Sequence, residues 1–220
     1  MSTIHNLTIE PVNDLNINLR AFGYSDIYNV TFEEGLTNIP DYLFYSAKLY
    51  CDIVIPEGVT HIGKRALAFD TINTGASLTL PSTLKTIEEK AFSTSMRNLG
   101  NLYFNGSIAE WCNIKADTYD AAPLLYATSC KFYINGNEEL PSVLKVPEGV
   151  TYVSKYAFAN RTNITDIYLP LSIQTIDSGA IKGCSSLANI YYAGTEEQWN
   201  SVLIGDSNTT SATPHFETSY

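Results

Sequence analysis

The stretch "IPEGVTHIGKRALAF" at residues 55–69 is repeated in altered form at 146–160, as "VPEGVTYVSKYAFAN". Pro, Gly, Val, Thr, Ala and an aromatic residue recur in the same order. Working outward, short β-rich triplets recur along the chain: "VTF" at 30–32, "IVI" at 53–55, "LTL" at 78–80, "LYF" at 102–104, "LKV" at 144–146, "IYL" at 167–169 and "IYY" at 190–192. Successive triplets start 23, 25, 24, 42, 23 and 23 residues apart. A period in the low twenties predicts a solenoid of stacked coils.

The positions after each triplet carry the same message. Pro follows at 56, 81, 147 and 170, where it ends a strand because it has no N–H to donate. Aliphatic residues follow at Leu36, Val59, Leu84, Val150 and Ile173, and three residues later at Ile39, Ile62, Ile87, Val153 and Ile176. A small-plus-apolar pair closes the motif at Ala66-Leu67, Ala91-Phe92, Ala157-Phe158 and Ala180-Ile181. Triplets alternate in–out–in as strands do, and the later aliphatics return to the centre. No coil can bury its apolar side alone, so the pattern specifies an α/β repeat solenoid of short strands with short helical segments.

A longer repeat overlies the short one. "NLYFNGSIAEWCNI" at 101–114 mirrors "NIYYAGTEEQWNSV" at 189–202. Ser107…Glu110 and Thr195…Gln198 read as capping boxes opening short helices. Their apolar sides hold Trp111 with Ile114, and Trp199 with Val202 and Leu203, so both Trp residues are expected inward rather than as sugar platforms. "KFYINGNEEL" at 131–140 contains Asn135-Gly136, a strong hairpin signal. The expected organisation is one continuous solenoid: an N-terminal cap at 1–29 with a strand at 15–19, a first half at 30–130, a hairpin insert at 131–143, a second half at 144–206, and a C-terminal cover or tail at 207–220.

These coils resemble the BspA-type leucine-rich repeats of bacterial surface proteins, and "YYAGTEEQWNSV" is similar to the Trp-containing module that often follows them. The resemblance runs over about residues 30–205. It implies a right-handed leucine-rich-repeat coil acting as a binding or adhesion module outside the cell. It carries no shared catalytic residues. Cys184 in "KGCSSL" falls at the family's buried Cys position, whereas Thr74-Gly75 and Met96-Arg97 interrupt the corresponding segment of two coils.

The chain has 220 residues, 45% of them hydrophobic, and a net charge of −10. That charge repels phosphate backbones and argues against nucleic acid. No apolar run is long enough for membrane insertion, and "MSTIHNLTIEPVND" shows no signal peptide. The expected location is extracellular or at a cell surface, with association with a phage particle as the alternative. Cys51, Cys112, Cys130 and Cys184 form no CxxC pair and His5, His61 and His215 are scattered, so no metal site or other cofactor is expected. The cysteines read as four free, buried thiols, with a Cys112–Cys130 disulfide as the alternative. GxSxG, HExxH, P-loop and GxGxxG motifs are all missing, so the chain is not read as an enzyme.

The outward residues of the triplets are the candidate ligand-binding positions: Tyr103, Lys145, Tyr168 and Tyr191, flanked by Asp166 and Asn189. Stacked strands should bring Lys145, Tyr168 and Tyr191 together in a ladder about 4.8 Å per coil. Aromatic residues with Asp and Asn on a rigid sheet suit a protein or glycan ligand. Plain cross-strand stacking is the competing explanation. A structural or assembly subunit of a surface or phage particle is the alternative function.

Overall fold

A computed structural model describes residues 2–11, 21–208 and 210–217. The strand expected at 15–19 lies outside the described residues. The chain packs as two compact units, Met1–Ser107 with Ile114–Glu139, and Ile108–Asn113 with Leu140–Tyr220.

In the first unit the coils hydrogen-bond to one another as short parallel strands. One sheet orders Ile53–Val54, Ser77–Leu80, Asn101–Phe104 and Lys131–Ile134 side by side. A second orders Asn38–Ile39, His61–Ile62, Thr86–Ile87 and Lys115–Ala116. A third, formed by Thr3–Ile4, Asp26–Ile27, Lys48–Leu49 and Thr71–Ile72, has no counterpart in the triplet pattern. Leu7–Ile9 pairs in register with Val30–Phe32, so "LTI" is a repeat strand one coil earlier than the first triplet recognised. Lys131–Ile134 is likewise a coil strand, parallel to Asn101–Phe104, and it accounts for much of the 42-residue step. The Asn135-Gly136 turn then sends Glu138–Glu139 back antiparallel, as the hairpin signal predicts. Both turn residues have positive φ, 51° and 83°, as a type I′ turn requires.

The second unit repeats the plan with fewer coils. Val143–Lys145, Asp166–Leu169, Asn189–Tyr192 and Thr213–His215 form one parallel sheet, and Tyr152–Val153, Thr175–Ile176 and Leu203–Ile204 another. Thr213–His215 makes the C-terminal segment a cover for the Asn189–Tyr192 strand. The helix Ile108–Cys112 belongs to this unit, where Trp111 is buried and its indole Nε1 donates to the Ala157 carbonyl at 2.7 Å.

The predicted core columns are buried throughout: Ile39, Ile62, Ile87, Val153 and Ile176 are all between 0% and 4% exposed. The Ala-plus-apolar pairs are buried as well. Where Met96 interrupts the Cys-type segment, a 3-10 helix at Thr94–Asn98 puts the Met96 side chain into the core six residues before the strand position Leu102. Cys184 stands six residues before Ile190, so Met fills the Cys position. Cys112, Cys130 and Cys184 are free buried thiols and Cys51 is a half-buried one. Burial pushes the Cys112 thiol up to about 12 and Cys184 up to about 11, which keeps both protonated and unreactive.

One expectation fails at the second Trp module. Thr195 and Gln198 form the reciprocal capping box, but Trp199 is only half-buried and Leu203 is 69% exposed. The chain leaves the helix after Trp199 and Leu203–Ile204 becomes an edge strand, which turns Leu203 outward instead of along the helix's apolar side.

Five coils turn a corner at a left-handed residue: Tyr42, Arg65 and Lys90 in the first unit, Tyr156 and Gly179 in the second. At Gly179 a Cβ would lie 2.5 Å from the Tyr156 ring, so glycine is required there by contact as well as by its φ of 67°. Replacing Ile87 by Ala should lower unfolding stability by about 2–4 kcal/mol, through lost burial and the cavity left in the column. Urea denaturation measures it; a loss within error of zero would mean the column is not a packed core.

Candidate binding surface

The sheet of the second unit carries most of the candidate residues. Its register aligns Lys145, Tyr168, Tyr191 and His215 in one outward column, and Val143, Asp166, Asn189 and Thr213 in the next. Alternation turns Leu144, Ile167 and Ile190 into the core and leaves the first column facing out. Strands in register place equivalent atoms about 4.8 Å apart, close to the spacing of stacked rings. The Tyr168 and Tyr191 rings therefore stack at 4.5 Å with an interplanar angle of 16°. Tyr191 stacks on His215 at 4.8 Å and 18°. At the other end the Lys145 ammonium lies 5.5 Å from the Tyr168 ring centroid, a cation–π contact.

The second column is a polar relay. The Asn189 amide Nδ2 donates to Asp166 Oδ1 at 2.8 Å, and Thr165 Oγ1 donates to Asp166 Oδ2 at 2.7 Å. Facing a carboxylate with its amino group, Asn189 presents its oxygen to His215, so His215 donates from Nε2 across 3.0 Å. The bonds from Asn189 and Thr165 hold the Asp166 carboxyl below its ordinary range, and His215 adds a smaller favourable charge effect.

Five of the six candidates are thus neighbours on one sheet. Tyr103 belongs to the first unit, where it stacks on Tyr133 at 4.7 Å. Tyr133 and His215 are ladder members that the sequence reading did not include. The alternation of "KFYI" could have signalled Tyr133, but the Asn-Gly turn beside it drew the reading to a hairpin. Pro214 interrupts the strand signal of "TPH" and hides His215. A further ladder, His5–Tyr28–Tyr50, runs along the first unit with centroids 5.5 and 4.8 Å apart. Among the described residues no His, Cys, Asp and Glu group is arranged to hold a metal, and no helix is long and apolar enough to cross a membrane.

In-register ladders, buried aliphatic columns and short strands that recur with each period coincide with a sequence match to the BspA type leucine rich repeat region, in six copies over residues 2–115 and 131–212. The chain belongs to the BspA-type leucine-rich repeat family. No curated protein matches it. Among solved structures it is similar to a leucine rich cell surface protein from Faecalibacterium prausnitzii, with 19% identity and a TM-score of 0.40. That match covers 94% of this chain and 63% of the other, so this chain spans less than two thirds of the length of that protein. The repeat match begins at residue 2 and so takes in the Leu7–Ile9 strand.

In an Asn189→Ala variant the Asp166 carboxyl should titrate at higher pH than in the parent, closer to an ordinary aspartate. The charged form is the one favoured by folding, so its contribution is full above the ordinary aspartate range and is lost as pH falls through the depressed midpoint. Carboxyl-detected NMR titration measures this, and an unchanged Asp166 midpoint would show that Asn189 is not its cause.

Proposed function

We propose that this repeat protein is a non-enzymatic binding module that takes a protein ligand on the Lys145–Tyr168–Tyr191–His215 ladder and works outside the cell. The observation that carries the reading is the stacking itself. Ring faces are covered by their neighbours at 4.5 and 4.8 Å, so the ladder presents ring edges, hydroxyls and a terminal ammonium. A sugar platform needs a bare ring face; a strip of edges and hydroxyls instead matches the mixed apolar and polar texture of protein interfaces. The strip is rigid, because each ring rides on a hydrogen-bonded strand, so little side-chain entropy is lost on binding. Display outside the cell follows the family resemblance, and the net charge of −10 disfavours nucleic acid as the partner.

Binding to an array of matrix and cell-surface proteins tests the reading. Tyr168→Ala combined with Tyr191→Ala should weaken the strongest interaction at least about tenfold, the range expected when central aromatic contacts are truncated. Circular dichroism should show the fold retained. Equal binding by parent and variant would return both tyrosines to a purely stabilising role.

A second reading, assembly, has its own observation. The column Val153–Ile176–Ile204 runs in register, yet its last member is 49% exposed where the first two are buried. Ile204 and Leu203 lie on an edge strand, a template for a further coil. A second copy of the chain adding there would produce concentration-dependent association in sedimentation velocity. Leu203→Glu should abolish that association, and a monomer at all concentrations would exclude self-assembly through this edge.

A further inference from the structure

The first unit contains an open cleft of about 400 Å³ that no repeat signature anticipates. Tyr45, Arg65, Asp70, Tyr119, Asp120 and Tyr126 are among its walls. Its charges are unevenly committed. Lys64 and Lys90 both pair with Glu89, at 2.7 and 3.0 Å. Arg65, at the left-handed corner next to Lys64, pairs with no carboxylate among the described residues. Its guanidinium lies 5.2 Å from the Tyr45 ring centroid and donates from Nη1 to Tyr45 Oη at 3.1 Å. Its Nε is buried and has no acceptor. Nε is therefore out of a ligand's reach and only the Nη end can serve the cleft; in a chain with ten more acidic than basic side chains an arginine held without an anion stands out.

The other walls define what the anion should be attached to. Tyr119 is 58% exposed, and among the described residues no ring stacks on it, in contrast to the ladder tyrosines. A bare aromatic face suits the C–H face of a sugar ring. Asp120 is buried, fixed by Thr118 Oγ1 and by the Lys90 backbone N–H at 3.3 Å, and it raises the Tyr126 hydroxyl pKa together with burial, the larger cause. A protonated Tyr126 hydroxyl and the exposed Asp70 carboxylate supply a donor and an acceptor for sugar hydroxyls.

We infer that this cleft binds an acidic sugar residue, with the carboxylate on Arg65 and the ring on Tyr119. A carboxylate meeting the Nη1 and Nη2 end of the guanidinium, the part that is not sealed from the cleft, forms the two-pronged pair that arginine favours. The site is on a different unit from the ladder and stands independently of the protein-binding reading.

Calorimetric or NMR titration with glucuronate tests it, with glucose and a glutamate-containing peptide as the comparison arms. Glucuronate should bind saturably, and glucose at least about tenfold more weakly, for want of the charge-assisted pair. Arg65→Lys should lose the same factor, because an ammonium cannot form the fork. Tyr119→Ala, at an exposed position, should weaken glucuronate binding with the melting transition unchanged. Failure of glucuronate to bind the parent overturns the inference, as does binding that both variants leave intact. A preference for the peptide over glucuronate also overturns it, since that would make the cleft a carboxylate site for protein.

Discussion

Within each unit, parallel hydrogen bonding in register between neighbouring coils is the constraint from which the other features follow. It fixes the spacing between equivalent residues at a single strand separation. Inside, that spacing stacks Ile62 on Ile87 and Val153 on Ile176, so each coil covers the apolar residues of its neighbour. Outside, the same spacing sets tyrosine on tyrosine. The core and the candidate binding ladder are therefore two faces of one register, and a slip by one residue would exchange them.

The two candidate surfaces differ in what happens to their aromatic rings. On the sheet, Tyr168 and Tyr191 spend their faces on each other and show their edges. In the cleft, Tyr119 sits on a short 3-10 segment, Tyr119–Ala121, outside any in-register ladder, and keeps its ring exposed. One amino-acid type thus offers two kinds of contact, decided by whether its backbone belongs to a repeating strand. The charges follow a similar logic. Glu89 draws in Lys64 and Lys90 from adjacent coils, and Arg65, whose side chain turns to Tyr45, is left to face the cleft.

The two Trp residues show what coverage is worth. Trp111 lies beneath the Ala157 carbonyl and is buried, whereas Trp199 packs against Tyr192 at 5.4 Å and remains half-exposed. The two modules share a motif, and their burial differs because burial comes from what each Trp packs against, not from the motif.

Period, strand positions and inward columns were readable from the chain itself, because each depends on residues a few positions apart: Pro ends a strand, and aliphatics at fixed offsets return to the core. The contiguity of Lys145, Tyr168 and Tyr191 was readable for the same reason, since a constant period implies register. The coil strands at Leu7–Ile9 and Lys131–Ile134 were present in the spacing but were masked, one by a Pro displaced by one position and the other by the Asn-Gly turn. The outward turn of Leu203 and the cleft around Arg65 could not be read in this way. Arg65 takes up its left-handed corner without the glycine or asparagine that usually marks one, and its surroundings come from residues as distant as Tyr45 and Tyr126. Local pattern determined the repeating unit; only the stacking of those units in space decided which side chains were covered, which were paired, and which were left open to a ligand.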